Sequence, residues 1–327
     1  MRNRFVRWLK GVAPQSIGAY WGEGGVCLML QDAEGFRRCV YQPLSVDSVE
    51  SAMAVAIERL WSYGNAVRHD YSLAVAMGAD DVFVRTLTVP AGLSDAQIEQ
   101  IATIEAVANL PVPPEEICLD FIRDDAAIVP AVSSALPSDE TIRLAFCRRE
   151  RIDEILATAE AIPLSVRVVD RDLQALHDAV MALHATEAEN HKINYPFALL
   201  LTELNPRFVI CLDALSFETY PIKLPVNEPG NVFDALGPQI VNCLTRCRMV
   251  RGDDALALKH IICVGANLSE LPERSAWLQD LNAGRVDNEP AISQLPMDDL
   301  RALVSADGLL PPDELLLIAA GMAGRQL

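Results

Sequence analysis

The sequence predicts an α/β fold with two domains. Segments with the apolar pattern of strands and of helices alternate along most of the 327 residues, which is typical of α/β proteins. Three short strands are predicted before the first helix, and three more, at 198–202, 208–212 and 217–222, repeat that order in the second half of the chain. A duplicated opening predicts two domains of related topology better than either copy alone.

The first copy opens with Ile17–Leu30, which we predict to be a β-hairpin. Three of the four residues at 22–25 are glycines that interrupt two apolar runs, and glycine readily adopts the positive φ that a tight turn needs. A third strand is predicted at 36–41. Residues 46–63 then place apolar side chains at helical spacing, so an amphipathic helix follows the three strands.

The next helix has clear start and stop signals. Strands are predicted before it at 73–77 and 82–89. Ser94 is a favourable N-cap, and Gln97 stands three residues further on, as in a capping box. The helix is predicted to end before Pro111, in the stiff segment Asn-Leu-Pro-Val-Pro-Pro, because proline does not continue a helix.

The remaining segments continue the alternation. Strands are predicted at 117–122, 142–147, 166–169 and 260–264, and helices at 149–160, 171–184, 232–248, 274–282 and 313–323. Residues 124–140 have the composition of a loop, and the polar residues 185–196 are predicted to bridge the two domains.

Charge and cysteine usage exclude several classes of protein. The 27 Lys and Arg against 45 Asp and Glu give a net charge of −18, which argues against a nucleic-acid partner and against unaided binding to anionic lipid. The eight cysteines form no Cys-x-x-Cys pair, which is typical of reduced thiols in a cytoplasmic protein.

No segment is predicted to cross a membrane, because the apolar run 315–324 is about half as long as a membrane-spanning helix requires. The basic residues 1–10 are interpreted as a frayed terminus, with weak contact to a membrane surface as the alternative.

Few residues are candidates for catalysis. His177 and His184 fall on one face of a predicted helix, without a carboxylate or cysteine at ligand spacing, so packing is favoured over metal binding. Asp170, Asp172 and Asp178 cluster near a strand end, where they are interpreted as helix caps, with a role as acids or metal ligands as the alternative. We find no P-loop, nucleophile elbow or zinc-protease motif, and we expect no catalytic residue and no metal site.

Several sequence segments resemble those of a known protein family. They are Ile17–Leu30, Thr88–Ile101 with Glu105, Leu110–Phe121, Ala145–Glu150 and Val168–Leu173. Together they resemble the PilM family, cytoplasmic actin-like proteins of type IV pilus assembly that are related in fold to FtsA. The strand, the Pro-Ala-Gly-Leu-Ser turn, the acidic helix and the Pro-x-Pro elbow are the specific part of the resemblance, which covers nearly the whole chain.

The resemblance implies an actin-like (ribonuclease H-like) two-domain fold with an inserted subdomain in the first domain. Its implied boundaries are a basic segment at 1–12, domain I at 13–190 and domain II at 191–327. The inserted subdomain is expected at about 81–164, and the C-terminal helix is expected to return to domain I.

The nucleotide motifs of that family are degenerate in this chain. Tyr20 stands where an Asp would hold magnesium, and Glu23 stands where a Ser would face phosphate. In the second motif, Leu201 replaces an Asp and Glu203 replaces a Gly, and in the third only Gly265 remains of a Gly-Gly pair. We therefore expect no cofactor and no ATP hydrolysis. The alternative is an ATP-binding actin-like switch with weak or no hydrolysis in pilus or type II secretion assembly.

The function implied by the resemblance is that of a scaffold in a type IV pilus assembly platform, peripheral to the bacterial inner membrane on its cytoplasmic side. Its implied partners are the short N-terminal tail of a PilN-like bitopic membrane protein and other platform or motor proteins, with self-association as a further option. The tail is expected in a groove between the core of the first domain and its inserted subdomain. The residues predicted to line that groove, for which core packing is the alternative, are Ile104, Val107, Leu110, Pro111 and Val112. A type II secretion protein of the GspL kind is a related interpretation, and the chain end at Leu327 without a membrane helix favours the pilus protein.

Overall fold

The structure is a computed structural model, and the chain forms two compact units in it. Unit 1 comprises Met1–Ala76 and Ile162–Leu327, and unit 2 comprises Met77–Ala161. The residues that the structure describes are 15–22, 24–32, 35–44, 48–62, 71–123, 139–160, 162–187, 195–224, 232–252, 256–265, 291–295, 297–304 and 310–324. The predicted basic segment 1–12 and the predicted helix 274–282 lie outside these residues.

The described residues form thirteen strands and seven α-helices. The strands are β1 (Gln15–Gly22), β2 (Gly25–Asp32), β3 (Gly35–Gln42), β4 (Tyr71–Met77), β5 (Phe83–Pro90), β6 (Ile117–Arg123), β7 (Asp139–Arg148), β8 (Ser165–Arg171), β9 (Phe197–Leu201), β10 (Arg207–Cys211), β11 (Phe217–Pro221), β12 (His260–Val264) and β13 (Ala291–Gln294). The helices are α1 (Val49–Ser62), α2 (Asp95–Asn109), α3 (Arg149–Glu160), α4 (Asp172–Glu187), α5 (Val232–Arg251), α6 (Asp298–Arg301) and α7 (Asp313–Ala323).

Unit 1 contains two five-stranded sheets with the same strand order. The first has the order β3-β2-β1-β4-β8 and the second the order β11-β10-β9-β12-β13. In each sheet three consecutive strands pair antiparallel, and the fourth strand lies parallel beside the first of them. The duplicated opening predicted from the sequence is therefore confirmed. Gly25, at φ 133°, closes the predicted hairpin opposite Gly22.

Helix α7 is buried along its whole length in unit 1. It packs against α4 and against the first three strands. A Cβ atom at Gly18 would lie 2.0 Å from the carbonyl oxygen of Ala319, and one at Gly321 would lie 1.9 Å from the carbonyl oxygen of Ala175. Glycine at both positions therefore lets α7 approach β1 and α4 more closely than any other residue would allow.

Unit 2 is a three-stranded antiparallel sheet with α2 packed on one face. The strand order is β5-β7-β6. The core between α2 and the sheet consists of apolar residues from both, namely Ala102, Ala106, Leu110, Ile117, Leu144 and Phe146. Helix α2 begins as predicted, because the Ser94 N–H donates to Gln97 Oε1 over 2.9 Å in the capping box.

Most predicted elements of the described chain are confirmed, with shifted ends. Helix α4 continues to Glu187, which places the start of the predicted bridge inside a helix. Strand β13 and helix α6 were not predicted, since each has only four residues and no distinct pattern. The division into domains at residue 190 and the ends of the inserted subdomain at 81 and 164 stay predictions.

Candidate functional site

The candidate site of unit 1 lies at the turns after β1 and β9, which are equivalent positions in the two sheets. We call residues 22–25 the first turn and residues 202–206 the second turn. Family resemblance places the first two nucleotide motifs at these turns, so the side chains there decide whether a nucleotide fits. Glu23 lies outside the described residues.

The two turns pack directly against each other. A Cβ atom at Gly24 would lie 2.7 Å from a methyl carbon of Leu204 in the second turn and 3.3 Å from a methyl carbon of Leu315 in α7. The Tyr41 hydroxyl donates a hydrogen bond to the Gly24 carbonyl from the other side. The space beside the first turn is thus filled by apolar atoms, which offer nothing to a phosphate group.

Tyr20 precedes the first turn on β1. Its side chain is half-buried and lies over Gly22, where a Cβ atom would be 3.3 Å from the phenolic oxygen. A phenol is uncharged at neutral pH and supplies no carboxylate to magnesium.

In the second turn, Glu203 binds the N-terminus of α7. Its Oε2 accepts a hydrogen bond of 2.5 Å from the backbone N–H of Asp313. The first N–H groups of a helix have no partner within the helix, and a carboxylate there also interacts favourably with the helix dipole. Glu203, at the position where the resemblance implies a glycine, therefore helps to anchor α7. Leu201, at the position where the resemblance implies an aspartate, is fully buried in the second sheet.

Gly265, at the end of β12, is confined by the second turn. Its φ is +136°, and a Cβ atom there would lie 2.2 Å from Thr202 Oγ1. Thr202 Oγ1 in turn donates to the Val264 carbonyl over 3.3 Å. The remaining glycine of the third motif is therefore required by local packing. The two residues that follow it, 266 and 267, lie outside the described chain.

A buried charged cluster lies where α7, β10 and α4 meet. Arg207 Nη2 contacts Glu314 Oε1 at 2.5 Å and Asp172 Oδ2 at 3.7 Å, and all three side chains are at most 14% exposed. Burial, aided by Asp172 and Glu203, raises the pKa of the Glu314 carboxyl to about 7, although Arg207 acts in the opposite direction. Near neutral pH, Glu314 therefore exists in both its protonated and its ionised form.

A second ion pair extends the cluster along the N-terminus of α7. Arg301 binds Asp313 in a bidentate manner, with Nε to Oδ1 at 2.9 Å and Nη2 to Oδ2 at 2.5 Å. The cluster thus joins two guanidinium groups with four carboxyl groups, the latter from Asp172, Glu203, Asp313 and Glu314. Among the residues that the structure describes, no group of His, Cys, Asp and Glu has the arrangement of a metal site.

The predicted His and Asp candidates form a structural network. His177 is buried, and its ring nitrogens contact Asp178 Oδ1 at 2.8 Å and the Tyr195 hydroxyl at 2.6 Å. Asp170 accepts a hydrogen bond of 2.7 Å from the N–H of Arg171. The side chain of His184 lies outside the described part of the chain. The predicted packing role of His177 is confirmed.

The five residues predicted to line the tail-binding groove differ in burial in unit 2. Leu110 is 5% exposed in the core beneath α2, as the core-packing alternative expects, and the groove itself stays a prediction. Val112 is half-buried against the same core, and Pro111 is exposed. Ile104 and Val107 are 72% and 36% exposed, on the side of α2 that faces away from the sheet. Spacing could have revealed the position of Leu110, which follows the buried Ala106 by four residues.

Sequence reasoning missed Leu204, Arg207, Arg301 and Glu314. Arg207 and Glu314 are separated by 107 residues, and no local pattern connects them. Acidic residues at 313 and 314 look like ordinary first-turn acids of a helix, which are favourable without any partner. Only their burial identifies them as members of a cluster.

The duplicated sheets of unit 1 have the strand order of an actin-like fold. A family model described as "Type IV pilus assembly protein PilM" matches residues 42–200. A chain of the "PilM-PilN type IV pilus biogenesis complex" aligns over 95% of this chain and 98% of its own length, with 14% identity and a TM-score of 0.60. The cytoplasmic domain of EpsL, an inner membrane component of the type II secretion system of Vibrio cholerae, aligns over 95% and 96%, with 11% identity and a TM-score of 0.50.

The chain is therefore similar to PilM proteins in residues 42–200, and its fold is similar to that of a chain of the PilM-PilN complex. The helices that the structure describes include none that is both long and apolar enough to cross a bilayer.

Proposed function

We propose that this protein is a scaffold of a type IV pilus assembly platform that binds the short cytoplasmic tail of a PilN-like membrane protein. The similarity to a chain of a PilM-PilN complex supports this partner. We place the protein in the cytoplasm, peripheral to the bacterial inner membrane, because its partner's tail would hold it there. Other platform or motor proteins and self-association belong to the same proposal.

The observation that carries the proposal is the filled cleft of unit 1. Leu204 and Leu315 pack against the first turn, and Glu203 is already engaged with the backbone of Asp313. Phosphoryl transfer depends on positioned charge and a metal ion, and these positions supply apolar atoms and an engaged carboxylate. We therefore propose that the protein neither needs nucleotide to bind its partner nor hydrolyses ATP.

Titration of the full chain with a synthetic peptide of the partner's cytoplasmic tail tests this function. We expect saturable binding by calorimetry without nucleotide, and an unchanged dissociation constant when Mg-ATP is added. A scrambled peptide of the same composition is the control for unspecific binding. The proposal fails if the tail peptide does not bind, or if it binds only in the presence of Mg-ATP, which would favour the alternative of an ATP-binding switch.

A further inference from the structure

Helix α5 of unit 1 has one buried side and one exposed side. The buried side belongs to the core of the second sheet and consists of Leu236, Ile240, Cys243, Leu244 and Cys247. In the C-terminal half of the helix, the exposed residues opposite this core follow one another at helical spacing, and we call them the α5 tip. They are Asn242, Thr245, Arg246, Met249 and Val250.

The α5 tip carries two strongly exposed apolar side chains. Met249 is 76% exposed and Val250 is 77% exposed, which are the largest exposed fractions among the large apolar side chains that the structure describes. The two residues are adjacent in the last turn of the helix. Single exposed apolar residues need no explanation, whereas neighbouring ones that pack against nothing are typical of a contact surface.

The α5 tip is basic in an otherwise acidic protein. Residues 235–252 contain three Arg and neither Asp nor Glu, whereas the net charge of the chain is −18. Asp253 and Asp254 follow in the sequence, outside the described residues, so the basic segment ends with the helix. At physiological ionic strength the screening length is about 8 Å, so a surface that approaches the tip responds to these arginines more than to the distant acidic residues.

The three arginines at this end of α5 differ in their contacts. Arg248 Nε donates to a backbone carbonyl over 2.8 Å, and Arg251 Nη2 contacts Glu218 Oε1 at 3.2 Å. The Arg246 guanidinium lies over the Tyr220 ring, 5.7 Å from its centroid. Within the described part of the chain, no carboxylate forms an ion pair with Arg246. Stacking on a ring leaves the charge of Arg246 in place, so an anion from outside the chain can pair with it.

The small size of the α5 tip favours a lipid surface over a folded protein as its partner. A stable protein–protein interface takes about 20–30 residues on each side, and the tip has five. A bilayer has no fixed shape to match. Apolar side chains placed among its headgroups, together with a cation near its phosphates, are sufficient for a weak and reversible contact.

We propose that the α5 tip contacts the anionic surface of a bilayer, with Met249 and Val250 among the lipid headgroups and Arg246 against the lipid phosphates. The contact is weak, and it orients the C-terminal end of α5 towards the membrane. This inference rests on the proposed function only for the location of the protein beside the inner membrane. The contact itself involves no residue of a partner's tail.

Flotation of the full chain with lipid vesicles tests the apolar contact. At low salt we expect binding to vesicles of phosphatidylcholine with phosphatidylglycerol, and much less binding to phosphatidylcholine alone, because only the former are anionic. M249D should lower the partition coefficient by about tenfold or more, since it removes an apolar side chain and adds a charge that the lipids repel. The matched control I104D adds the same charge at an isoleucine of unit 2 that is 72% exposed, and it should change the partition coefficient by less than about twofold.

The role of Arg246 is tested by charge removal. We expect R246Q to lower the partition coefficient by about fivefold at low salt and by less at high salt, because the attraction between an arginine and anionic lipid is screened by salt. R148Q removes an exposed arginine of unit 2 and is the control, with an expected change of less than about twofold. Thermal unfolding of each variant verifies that it is folded.

The outcomes separate this inference from the proposed function, because the vesicles contain no tail peptide. If the unaltered chain does not bind the anionic vesicles, or if M249D and I104D bind them equally well, the inference is overturned and the proposed function stands. If the chain binds soluble poly-glutamate but not the vesicles, and M249D weakens that binding, an acidic protein is the partner of the α5 tip and the inference is also overturned. If the vesicles bind as expected and the tail peptide does not, only the proposed function fails.

Discussion

Glu203 and Glu314 are two acidic residues of unit 1 that make contacts at the N-terminal end of α7. The carboxylate of Glu203 accepts a hydrogen bond from the backbone N–H of Asp313 at the start of α7. Glu314 in the same helix is 5% exposed and contacts Arg207, and its second carboxyl oxygen has no hydrogen-bond partner. Burial disfavours the ionised form of a carboxyl group, which is the main cause of the raised pKa of Glu314.

The raised pKa of Glu314 predicts a pH dependence of stability. The folded state favours the protonated acid, so the free energy of unfolding should fall as pH rises from about 4.5 to about 7 and then level off. Urea unfolding at pH 5 and at pH 8 measures this change. Between the two pH values, the unaltered chain should lose on the order of 2 kcal/mol more unfolding free energy than E314Q, whose residue 314 does not ionise.

Asp298 provides the control for the pH experiment. Its side chain is 98% exposed near the same ion pairs, so D298N should keep the pH dependence of the unaltered chain. An E314Q variant with the same loss of stability between the two pH values would show that Glu314 is not the titrating group.

Among the elements, α7 depends on two glycine contacts. The carbonyl oxygen of Ala175 occupies the place that a Cβ atom at Gly321 would need. We expect G321A to lower the free energy of unfolding by about 2 kcal/mol or more, because α4 or α7 must move to accommodate the methyl group.

Gly324 at the end of the same helix is the matched control. It has helical dihedral angles, and the nearest atom to its Cβ position is 3.6 Å away, so G324A should change stability by less than about 0.5 kcal/mol. Urea unfolding of both variants measures the difference. Equal stability of G321A and G324A would contradict the close packing of α7 on α4.

Elements with local signals could be predicted from the sequence, and contacts between distant elements could not. The capping box of Ser94 and Gln97 and the glycine-rich hairpin each depend on a few consecutive residues, and both are confirmed. The contact of Leu204 with Gly24 joins turns that are far apart in the sequence, and no local sequence pattern at either residue predicts this contact. The burial of Leu110 agrees with helical spacing, since Leu110 follows the buried Ala106 by four residues.

At the scale of the whole molecule, unit 1 has an actin-like fold in which Leu204 and Leu315 pack at the turn after β1. The two sheets of unit 1 retain the duplicated strand order. Helix α7 connects them, because Ser16 Oγ in the first sheet donates to the Ala323 carbonyl over 2.5 Å and Arg207 in the second sheet binds Glu314. In the described residues, contacts of the chain's own side chains therefore connect the two turns with α7.

Calorimetric titration of the full chain with ATP in the presence of magnesium tests this account most directly, with an active actin-like ATPase as the positive control. The account predicts no saturable heat for this protein and no shift of its thermal unfolding temperature. Saturable, magnesium-dependent binding in the micromolar range would contradict it.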